Sequence, residues 1–580
     1  MSIGVPLLLL QLLLLHVSQS MSTGSLDGKS TSRTNTDYSE KLLIRPLQDG
    51  MLSASFQFDT ILHQNIESLY LENQFDIFPL AIGDFIGKNF IKELRFSLAR
   101  GHWKSDQWGY PLRYQPNGGE LYAVFSHLNS NPWKSWKQVT SSLSGHFCAS
   151  LNFIDKAATV QPRYSLKPEG VFGNGSFKQE NVFYAALAHE TVCTENLTPW
   201  KKFLPCFHKS GLASLLNAVY LLNSNYFSIS IDIKSKCGNP ACSKSFTELK
   251  QNVLVVFNPP AIFGGKLRWS IIKLFGSTLK ESCPLASKSE VFVETTLNDT
   301  RNPHTISPTP HNIIVEESSS GKRTFFQYDV ERLLTESKRA NSSKFNIFSV
   351  YQHEKIYDDI SPPPISASRY ITGYGVHQGG ITSRISNNAH KSKTVVVLDV
   401  IPWYLRIYLH TMKITCNGED LKPSHLYYKP SRDRGNPHHI EIVLKLPPDS
   451  VTEISYEFER SFLKWTEYQP DANHGVYAGS STLTFLLDDS TNATIFPSNL
   501  REARPLIIPL KTECLLVSLP TPDFSMPYNV ICLVSTVVSL AFGPIHNLTT
   551  KRPKRVKSGK ESSSRSILSS LKFWAKEKSD

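Results

Sequence analysis

The stretch FSISIDIK, residues Phe227–Lys234, alternates between apolar and polar side chains at every position. Successive side chains of a β-strand point to opposite faces of a sheet, so this period of two predicts a half-buried antiparallel strand. The same alternation recurs in Leu405–His410, in Ile454–Glu459 and, apart from Val443, in Ile440–Leu446. The sequence therefore predicts that much of the chain is antiparallel sheet.

Helical periodicity is less frequent. In Gly211–Ser224 (GLASLLNAVYLLNS), four apolar residues fall on one helical stripe, namely Leu212, Leu215, Leu216 and Val219. A stripe of this kind predicts a helix that packs against a core. A second helix is predicted from about Ser135 to Leu151.

Proline-rich stretches divide the chain. Thr300–Gly321 is rich in Pro, Ser, Thr and His and is predicted to be a surface loop. SPPPISAS (Ser361–Ser368) is predicted to be a linker, because consecutive prolines cannot join a helix or a central strand. The predicted fold class is therefore α+β and mainly β. A mixed α/β domain covers residues 21–360, a linker 361–369 and a β-sandwich-like domain 370–523.

The first twenty residues have the pattern of a secretory signal peptide. An apolar run, Val5–Val17, precedes small residues at Ser18 and Ser20, which are spaced like a signal-peptidase site. The run is short for a membrane span, so residues 1–20 are predicted to be a cleaved signal.

A second apolar segment predicts a transmembrane helix near the other end. Phe524–Thr550 contains no charged residue, and residues 527–548 are enough to cross a hydrocarbon core of about 30 Å. The following ten residues, Lys551–Lys560, include six basic ones. Basic residues beside a span stay cytoplasmic, so the sequence predicts a single-pass type I protein with a basic cytosolic tail over residues 549–580.

The basic balance of the chain does not indicate nucleic-acid binding. The formal net charge is +12, and residues 551–580 carry ten Lys or Arg against three Asp or Glu. The tail therefore accounts for +7 of this charge, and an anionic leaflet is a sufficient partner for it. We expect no nucleic-acid partner.

Glycosylation sequons agree with this orientation. Four sites before the span are predicted to carry N-glycans: Asn174, Asn298, Asn341 and Asn492. A further sequon begins at Asn196, and one at Asn547 falls at the predicted cytosolic edge of the span, where no glycan is added.

The cysteines are expected to form disulfides, because eight of the nine precede the span in an oxidising compartment. The candidates for bridges within the chain are Cys148, Cys206, Cys237, Cys242 and Cys283. Cys237 and Cys242 flank a Gly-Asn-Pro-Ala turn, and a local disulfide is favoured there over a zinc site, which needs four ligands. A short Cys193–Cys206 bridge also remains open.

No catalytic motif accompanies these cysteines. The chain lacks G-x-S-x-G, H-E-x-x-H, the phosphate-loop pattern and a caspase-like QAC-x-G. Gly373–Gly380 is glycine-rich, but its spacing is typical of a turn rather than of a phosphate loop. We therefore predict no catalytic, cofactor-binding or metal-binding residue.

Several stretches, in order along the chain, resemble the Gpi16/PIG-T family. They are HFCASLNFID (His146–Asp155), VCTENLTPWKKFLPC (Val192–Cys206), CPLAS (Cys283–Ser287), RYITGYG (Arg369–Gly375), IPWYLRIYLHT (Ile401–Thr411), FLKWTEYQPDANHGVY (Phe462–Tyr477) and LPTPDFSMPYNVICL (Leu519–Leu533). Members of this family are a subunit of the glycosylphosphatidylinositol (GPI) transamidase of the endoplasmic reticulum membrane.

The resemblance implies a non-catalytic scaffold. It implies that a separate caspase-like cysteine subunit attaches GPI to proproteins, and that this chain stabilises and positions that subunit beside the other membrane subunits. Contacts with the GPI lipid and the proprotein are further expectations. The alternatives are a type I receptor or adhesion glycoprotein, and a lumenal cysteine hydrolase.

The resemblance also assigns a role to Cys193, which in this family forms an intermolecular disulfide with the catalytic subunit. Thr194 and Trp200 are then candidates for the interface, and Asn529, near the lumenal end of the span, is a candidate for contact with a neighbouring helix or a lipid. Asn196 is expected to be unmodified, because a glycan there would crowd the docked partner.

Overall fold

A computed structural model describes most of the chain. The described residues are 36–47, 50–63, 77–169, 179–188, 190–207, 209–237, 245–295, 304–318, 321–339, 345–351, 363–373, 375, 377–469, 471–487, 506–521, 523 and 525–552. The predicted signal peptide, most of the predicted tail, the sequons at Asn174, Asn298, Asn341 and Asn492, and Cys242 lie outside the described residues. The chain divides into two compact units, Met1–Pro520 and Thr521–Asp580.

The strands of the first unit fall into two groups along the chain. Those before the proline-rich segment are β1 (Thr36–Pro46), β2 (Leu52–Leu62), β3 (Ile91–Arg100), β4 (Gly118–Phe125), β5 (Thr159–Val160), β6 (Val182–Leu187), β7 (Tyr226–Cys237), β8 (Ser245–Phe257), β9 (Arg268–Ser270), β10 (Lys288–Thr295), β11 (His304–Ser307), β12 (Asn312–Ser318), β13 (Gly321–Asp329) and β14 (Phe348–Tyr351). Those after it are β15 (Ile365–Thr372), β16 (Gln378–Asn387), β17 (Lys393–Ile401), β18 (Leu405–Cys416), β19 (Glu419–Asp420), β20 (His425–Lys429), β21 (His438–Leu446), β22 (Ser450–Arg460), β23 (Val476–Ala478), β24 (Thr482–Leu487), β25 (Leu506–Lys511) and β26 (Leu515–Val517).

The helices are fewer and mostly short. Within the described residues they are α1 (Leu80–Asn89), α2 (Ser105–Trp108), α3 (Pro132–Phe147), α4 (Thr194–Lys202), α5 (Ala218–Leu222), α6 (Pro259–Ile262), α7 (Ile271–Phe275), α8 (Val330–Arg339) and α9 (Ser525–Thr550). The mainly β fold class with a mixed N-terminal part is confirmed.

Strand pairing separates the two groups. Among the described residues, eleven strands form one sheet in the order β12-β13-β10-β1-β2-β8-β7-β3-β4-β6-β5, and β11-β14-β9 form a small second sheet. The later strands form two five-stranded sheets, β15-β16-β22-β18-β19 and β20-β21-β17-β24-β25, and a short β23-β26 pair. In the part of the chain that the structure describes, no sheet crosses the proline-rich segment, and the domain division there stays a prediction.

The FSISIDIK stretch lies in β7 and pairs antiparallel with β3 and β8, as predicted. The strand is not half-buried, however, because Ser228 and Ser230 are fully buried and Asp232 is nearly so. On its polar face, Arg113 from outside the sheet forms an ion pair with Asp232, and Asn252 of the neighbouring strand β8 donates a hydrogen bond to Ser230. Polar alternation therefore persists in a strand that is buried on both faces.

Helices cover one face of the eleven-stranded sheet. The apolar residues of β7 share the main core with Phe85 of α1, Leu143 of α3, Trp200 of α4 and Leu274 of α7. Alternating residues of β3, β4 and β8 point into the same core, as the two-residue period of a strand requires. This layer of helices supports the start of α4.

The two five-stranded sheets pack as a sandwich. Ile385 and Ile454 of one sheet share a core with Val397 and Leu483 of the other. Tyr226, the first residue of β7, belongs to the same core, so the sandwich and the large sheet are packed together through side chains. The predicted β-sandwich architecture is confirmed.

One predicted helix is wrong. Gly211–Ser224 forms a 3-10 turn over Leu212–Leu215 and the short helix α5, with an extended residue, Asn217, between them. The Asn217 side chain accepts the backbone N–H of Val219, which starts a new helix instead of continuing the first turn. Val219 is 71% exposed and therefore does not belong to the predicted buried stripe. The helix predicted from Ser135 is confirmed as α3 and ends at Phe147.

Two predicted irregular segments contain strands. Thr300–Gly321 was expected to be a loop, but β11 and β12 lie within it, because a short β-branched stretch such as Ile313–Val315 pairs at a sheet edge despite the polar composition around it. The linker prediction for residues 361–369 is wrong over its second half, where β15 begins at Ile365 directly after the prolines. Ile365 and Arg369 are buried, so the strand joins the sandwich.

The second unit contains the helix α9. It has 26 residues and a mean hydropathy of 1.7 in its most apolar window, so it is long and apolar enough to cross a membrane. Asp523 caps it by accepting the N–H of Ser525 at 2.9 Å. The helix extends two residues beyond residues 527–548 at each end, and the predicted C-terminal apolar helix is confirmed.

Candidate docking site around Cys193

The site begins where the chain enters α4. Cys193 is the N-cap of this helix and has an extended backbone, with φ −135° and ψ −178°. Its N–H donates to Oδ1 of Asn196 at 2.8 Å, which is the reciprocal contact of a capping box. The cap fixes the backbone of Cys193 relative to the helix.

The thiol of Cys193 is unpaired and within reach of solvent. It forms no disulfide with any cysteine that the structure describes, is half-buried, and lies 3.3 Å from Oδ1 of Asn196. Thr194, the next residue, is exposed. A partner could therefore reach Cys193 and Thr194 without rearrangement of α4.

A second link holds α4 against α3. Nδ2 of Asn196 donates to the carbonyl oxygens of Phe147 at 2.8 Å and Cys148 at 3.2 Å. Below this contact, the rings of Phe147 and Phe203 pack with their centroids 5.6 Å apart. The thiol thus sits on a junction between two helices that is anchored in the main core.

Trp200 is not on this surface, so its prediction as an interface anchor is wrong. The side chain is fully buried, its Nε1 donates to the carbonyl of Ser230 at 3.1 Å, and its ring lies edge-on to Phe58. One helical turn beyond Asn196, Trp200 falls on the inner face of α4 and packs against the large sheet. Its role is to hold α4 in place.

The structure bonds Cys206 to Cys283, with Cα atoms 5.8 Å apart. This pairing excludes the alternative Cys193–Cys206 bridge. Beside it, Gly211 has φ +68°, and an added Cβ there would lie 2.8 Å from the Cβ of Cys283 and 2.4 Å from Glu40. The segment after α4 is therefore closely packed around the disulfide.

Glu40 of β1 is a buried carboxylate that contacts the segment after α4. It accepts hydrogen bonds of 2.9 Å from the backbone N–H of Leu212, from Ser289 and from Tyr38. Burial raises the pKa of Glu40 although these hydrogen bonds oppose the shift. The sequence did not predict the burial of Glu40, because an acidic side chain in an alternating strand is typical of an exposed face.

The remaining cysteines divide into bonded and unbonded ones. Cys148, a candidate for an intrachain bridge, is an exposed free thiol, because it caps the end of α3 in a left-handed conformation at the surface. Cys237 is disulfide-bonded, and its predicted partner Cys242 lies outside the described residues. Cys416 and Cys514 are half-buried and unbonded.

The described residues contain no cluster of three or more His, Cys, Asp or Glu that could hold a metal ion. Asn529, the other interface candidate, lies near the start of α9 and is exposed. The sequence pattern predicted Asn196 only as a sequon that stays unmodified, and its part in the helix cap was not predicted. Its position three residues after an N-cap was the available signal.

Comparison with known proteins places the chain in a family. The model of a family described as "Gpi16 subunit, GPI transamidase component" matches residues 26–263 and 260–574. The chain is 39% identical over 567 residues to the GPI-anchor transamidase component PIGT of Mus musculus, which covers 95% of this chain and 94% of the relative. Identity to PIGT of Homo sapiens is 40% over 528 residues, covering 88% and 90%.

A more distant relative matches over a similar length. The GPI transamidase component GPI16 of Saccharomyces cerevisiae is 29% identical over 577 residues, covering 92% of this chain and 91% of the relative. The similarity thus extends through both strand groups and the apolar helix, and the resemblance predicted from short motifs is confirmed. The chain belongs to the Gpi16 family, which is the family of one subunit of GPI transamidase.

Proposed function

We propose that this chain is a non-catalytic subunit of GPI transamidase that stabilises and positions a caspase-like catalytic subunit in the endoplasmic reticulum. The family supports membership in the transamidase. The single observation that carries the scaffold role is the unpaired Cys193 thiol, held at an accessible helix start by Asn196.

The proposed link is a disulfide between Cys193 and the catalytic subunit. A covalent link converts re-association into an intramolecular event, so a modest non-covalent interface is sufficient to keep the two chains together. An oxidising compartment allows the bond to persist. Exposed Thr194 is the neighbouring contact that we assign to the same interface.

The topology proposed for this role has the first unit in the lumen, α9 in the membrane and the basic tail in the cytosol. The length and hydropathy of α9 support the anchor, and six basic residues directly after it support the orientation. We propose that Asn529 contacts a neighbouring helix or lipid head group within this assembly. Contacts with the GPI lipid and the proprotein belong to the same proposal.

Cells in which this chain can be removed test the function. The full chain should restore surface display of GPI-anchored proteins and should purify in mild detergent together with the catalytic subunit. Normal display in cells that lack the chain would contradict the proposal. Turnover of a peptide substrate by the purified chain alone would contradict the non-catalytic assignment.

A further inference from the structure

Asn196 begins an Asn-Leu-Thr sequon, yet its side chain has no exposed surface. Nδ2 donates to two carbonyl oxygens, those of Phe147 and Cys148, and Oδ1 accepts the N–H of Cys193. A side-chain amide has two donor hydrogens and one acceptor oxygen. Every polar group of this amide is therefore used inside the chain.

We propose that Asn196 is a positioning residue for the Cys193 thiol, and that its sequon carries no glycan in the folded protein. The inference rests on the proposed function in so far as Cys193 is the linking thiol. The geometry around Asn196 does not depend on any partner.

Glycosylation would replace one of the Nδ2 hydrogens with a bulky sugar. The chain would lose one of the two hydrogen bonds that link α4 to α3, and the sugar would have to occupy the space between the helices. A glycan added before folding would thus prevent this junction from forming. Asn196 is unmodified because its own chain buries it, and crowding by a partner is not required.

The third residue of the sequon has a use of its own. Thr198 is exposed, and its Oγ1 donates to the carbonyl of Thr194 at 2.9 Å within the first turns of α4. This bond stays within α4, whereas the bonds of Asn196 reach α3. The sequon therefore arises from an amide that links the two helices and an exposed hydroxyl that does not.

Positioning follows from the two contacts that Asn196 makes with Cys193. Its Oδ1 holds the backbone N–H at 2.8 Å and lies 3.3 Å from Sγ. The same amide is fixed to α3, so the thiol has a defined place relative to both helices. Without Asn196, the first turn of α4 frays and Cys193 loses this orientation.

The first test measures glycan occupancy, by mass spectrometry of peptides released with a glycosidase in heavy-oxygen water. The full chain is isolated from cells with and without the catalytic subunit. Asn196 should be unmodified in both, with the other lumenal sequons as internal references. Occupancy only in the absence of the subunit would show that a partner excludes the glycan, and occupancy in protease-resistant chain would show that Asn196 is not buried. Either result would overturn the inference.

The second test compares Thr198→Val with Asn196→Ala. Both substitutions destroy the sequon, but only the second removes the amide. With Thr198→Val, the disulfide-linked fraction should equal that of the unchanged chain, whereas with Asn196→Ala it should fall severalfold. Equal effects of the two variants, or no effect of either, would contradict a positioning role.

Thiol chemistry separates positioning from misfolding. In the full chain expressed without its partner, Asn196→Ala should change the alkylation rate of Cys193 by about fivefold, the effect of losing one helix cap, while Cys514 keeps its rate. Retention of the Cys206–Cys283 bond shows that the variant is folded. If Asn196→Ala fails to fold, Asn196→Leu replaces it, since this side chain has a similar volume but offers neither the acceptor for Cys193 nor the donor for α3. An unchanged rate there would contradict the inference.

These readouts also distinguish the inference from the proposed function. If the unchanged chain shows no Cys193-dependent link to another subunit, the proposed function fails. Glycan occupancy and the alkylation rate of the isolated chain still decide whether Asn196 is buried and positions Cys193.

Discussion

The carboxylate of Glu441 accepts the backbone N–H of Ser165 at 2.8 Å, which joins the sandwich strand β21 to the segment after β5. The backbone N–H groups of Arg163 and Tyr164 bind the same carboxylate, and His439 contacts its other side at 2.7 Å. Burial alone would raise the pKa of Glu441, but these hydrogen bonds hold it below its usual value. The two parts of the first unit are thus joined by a buried anion.

Glu441→Gln should destabilise the first unit by about 2–3 kcal/mol. The neutral amide is a weaker acceptor than the carboxylate, and its NH₂ group would face backbone N–H groups, which are themselves donors. Thermal unfolding of the full chain in mild detergent measures the loss. Glu457→Gln, at an exposed position on β22, is the matched control and should leave the unfolding temperature unchanged. Equal unfolding temperatures for Glu441→Gln and the unchanged chain would refute the role of this carboxylate.

A second buried contact joins the same two parts. The Lys511 ammonium of β25 forms an ion pair with Glu120 of β4 and also donates to Tyr184 at 3.1 Å and Thr482 at 2.9 Å. Lys511→Met leaves the Glu120 carboxylate buried without its partner, and we expect a loss of about 3–5 kcal/mol.

A double variant shows whether the unpaired charge causes this loss. Glu120→Gln combined with Lys511→Met should be more stable than Lys511→Met alone, as measured by urea unfolding of the full chain in detergent. Lys391→Met removes an exposed ammonium and serves as the control. A double variant no more stable than the single one would mean that lost packing, and not the charge, sets the cost.

We expect His438 to make the stability of the sandwich sensitive to acid. Burial lowers the pKa of His438 to about 4, in contact with Tyr428 at 3.0 Å and Ser431 at 2.9 Å. The unfolded imidazole titrates near 6.5, so between about pH 6.5 and 4 the unfolded chain binds more protons and the folded state loses stability as pH falls. With allowance for solvent screening, the free energy of unfolding falls by about 2 kcal/mol over this pH range.

His438→Gln removes the titrating group and should flatten this part of the stability profile. Unfolding temperatures of the full chain measured from pH 7 to pH 4 provide the comparison. An identical slope for the variant and the unchanged chain would assign the acid sensitivity to other groups.

We expect the Cys206–Cys283 bond to protect the proposed disulfide between Cys193 and the catalytic subunit. Cys283→Ala frees Cys206, which follows Cys193 closely along the chain, and the two thiols can then compete for oxidation. Non-reducing electrophoresis should show less of the species linked to the catalytic subunit. The double variant Cys206→Ala with Cys283→Ala removes the competing thiol and should recover much of that species, although it stays less stable. No recovery would mean that the bond acts through stability alone.

Patterns along the chain predicted strands and the apolar helix well, because the period of two in β7 and the uncharged run of α9 are local properties. They failed where a tertiary contact or a single side-chain cap decides the structure. Burial of the polar face of β7 depends on Arg113, which is distant in sequence, and the break at Asn217 depends on one side-chain cap. The family motif located Cys193, but only the fold shows that Asn196 is buried and that Trp200 faces inward.

The most direct measurement is non-reducing electrophoresis of the assembled complex with Cys193→Ser and Cys148→Ser. Both residues carry unbonded thiols and both contact Asn196, Cys193 through Sγ and Cys148 through its carbonyl oxygen, so each is the matched control for the other. We predict that Cys193→Ser abolishes the disulfide-linked species containing the catalytic subunit, whereas Cys148→Ser leaves it intact. Persistence of that species in Cys193→Ser, or its loss only in Cys148→Ser, would contradict the account.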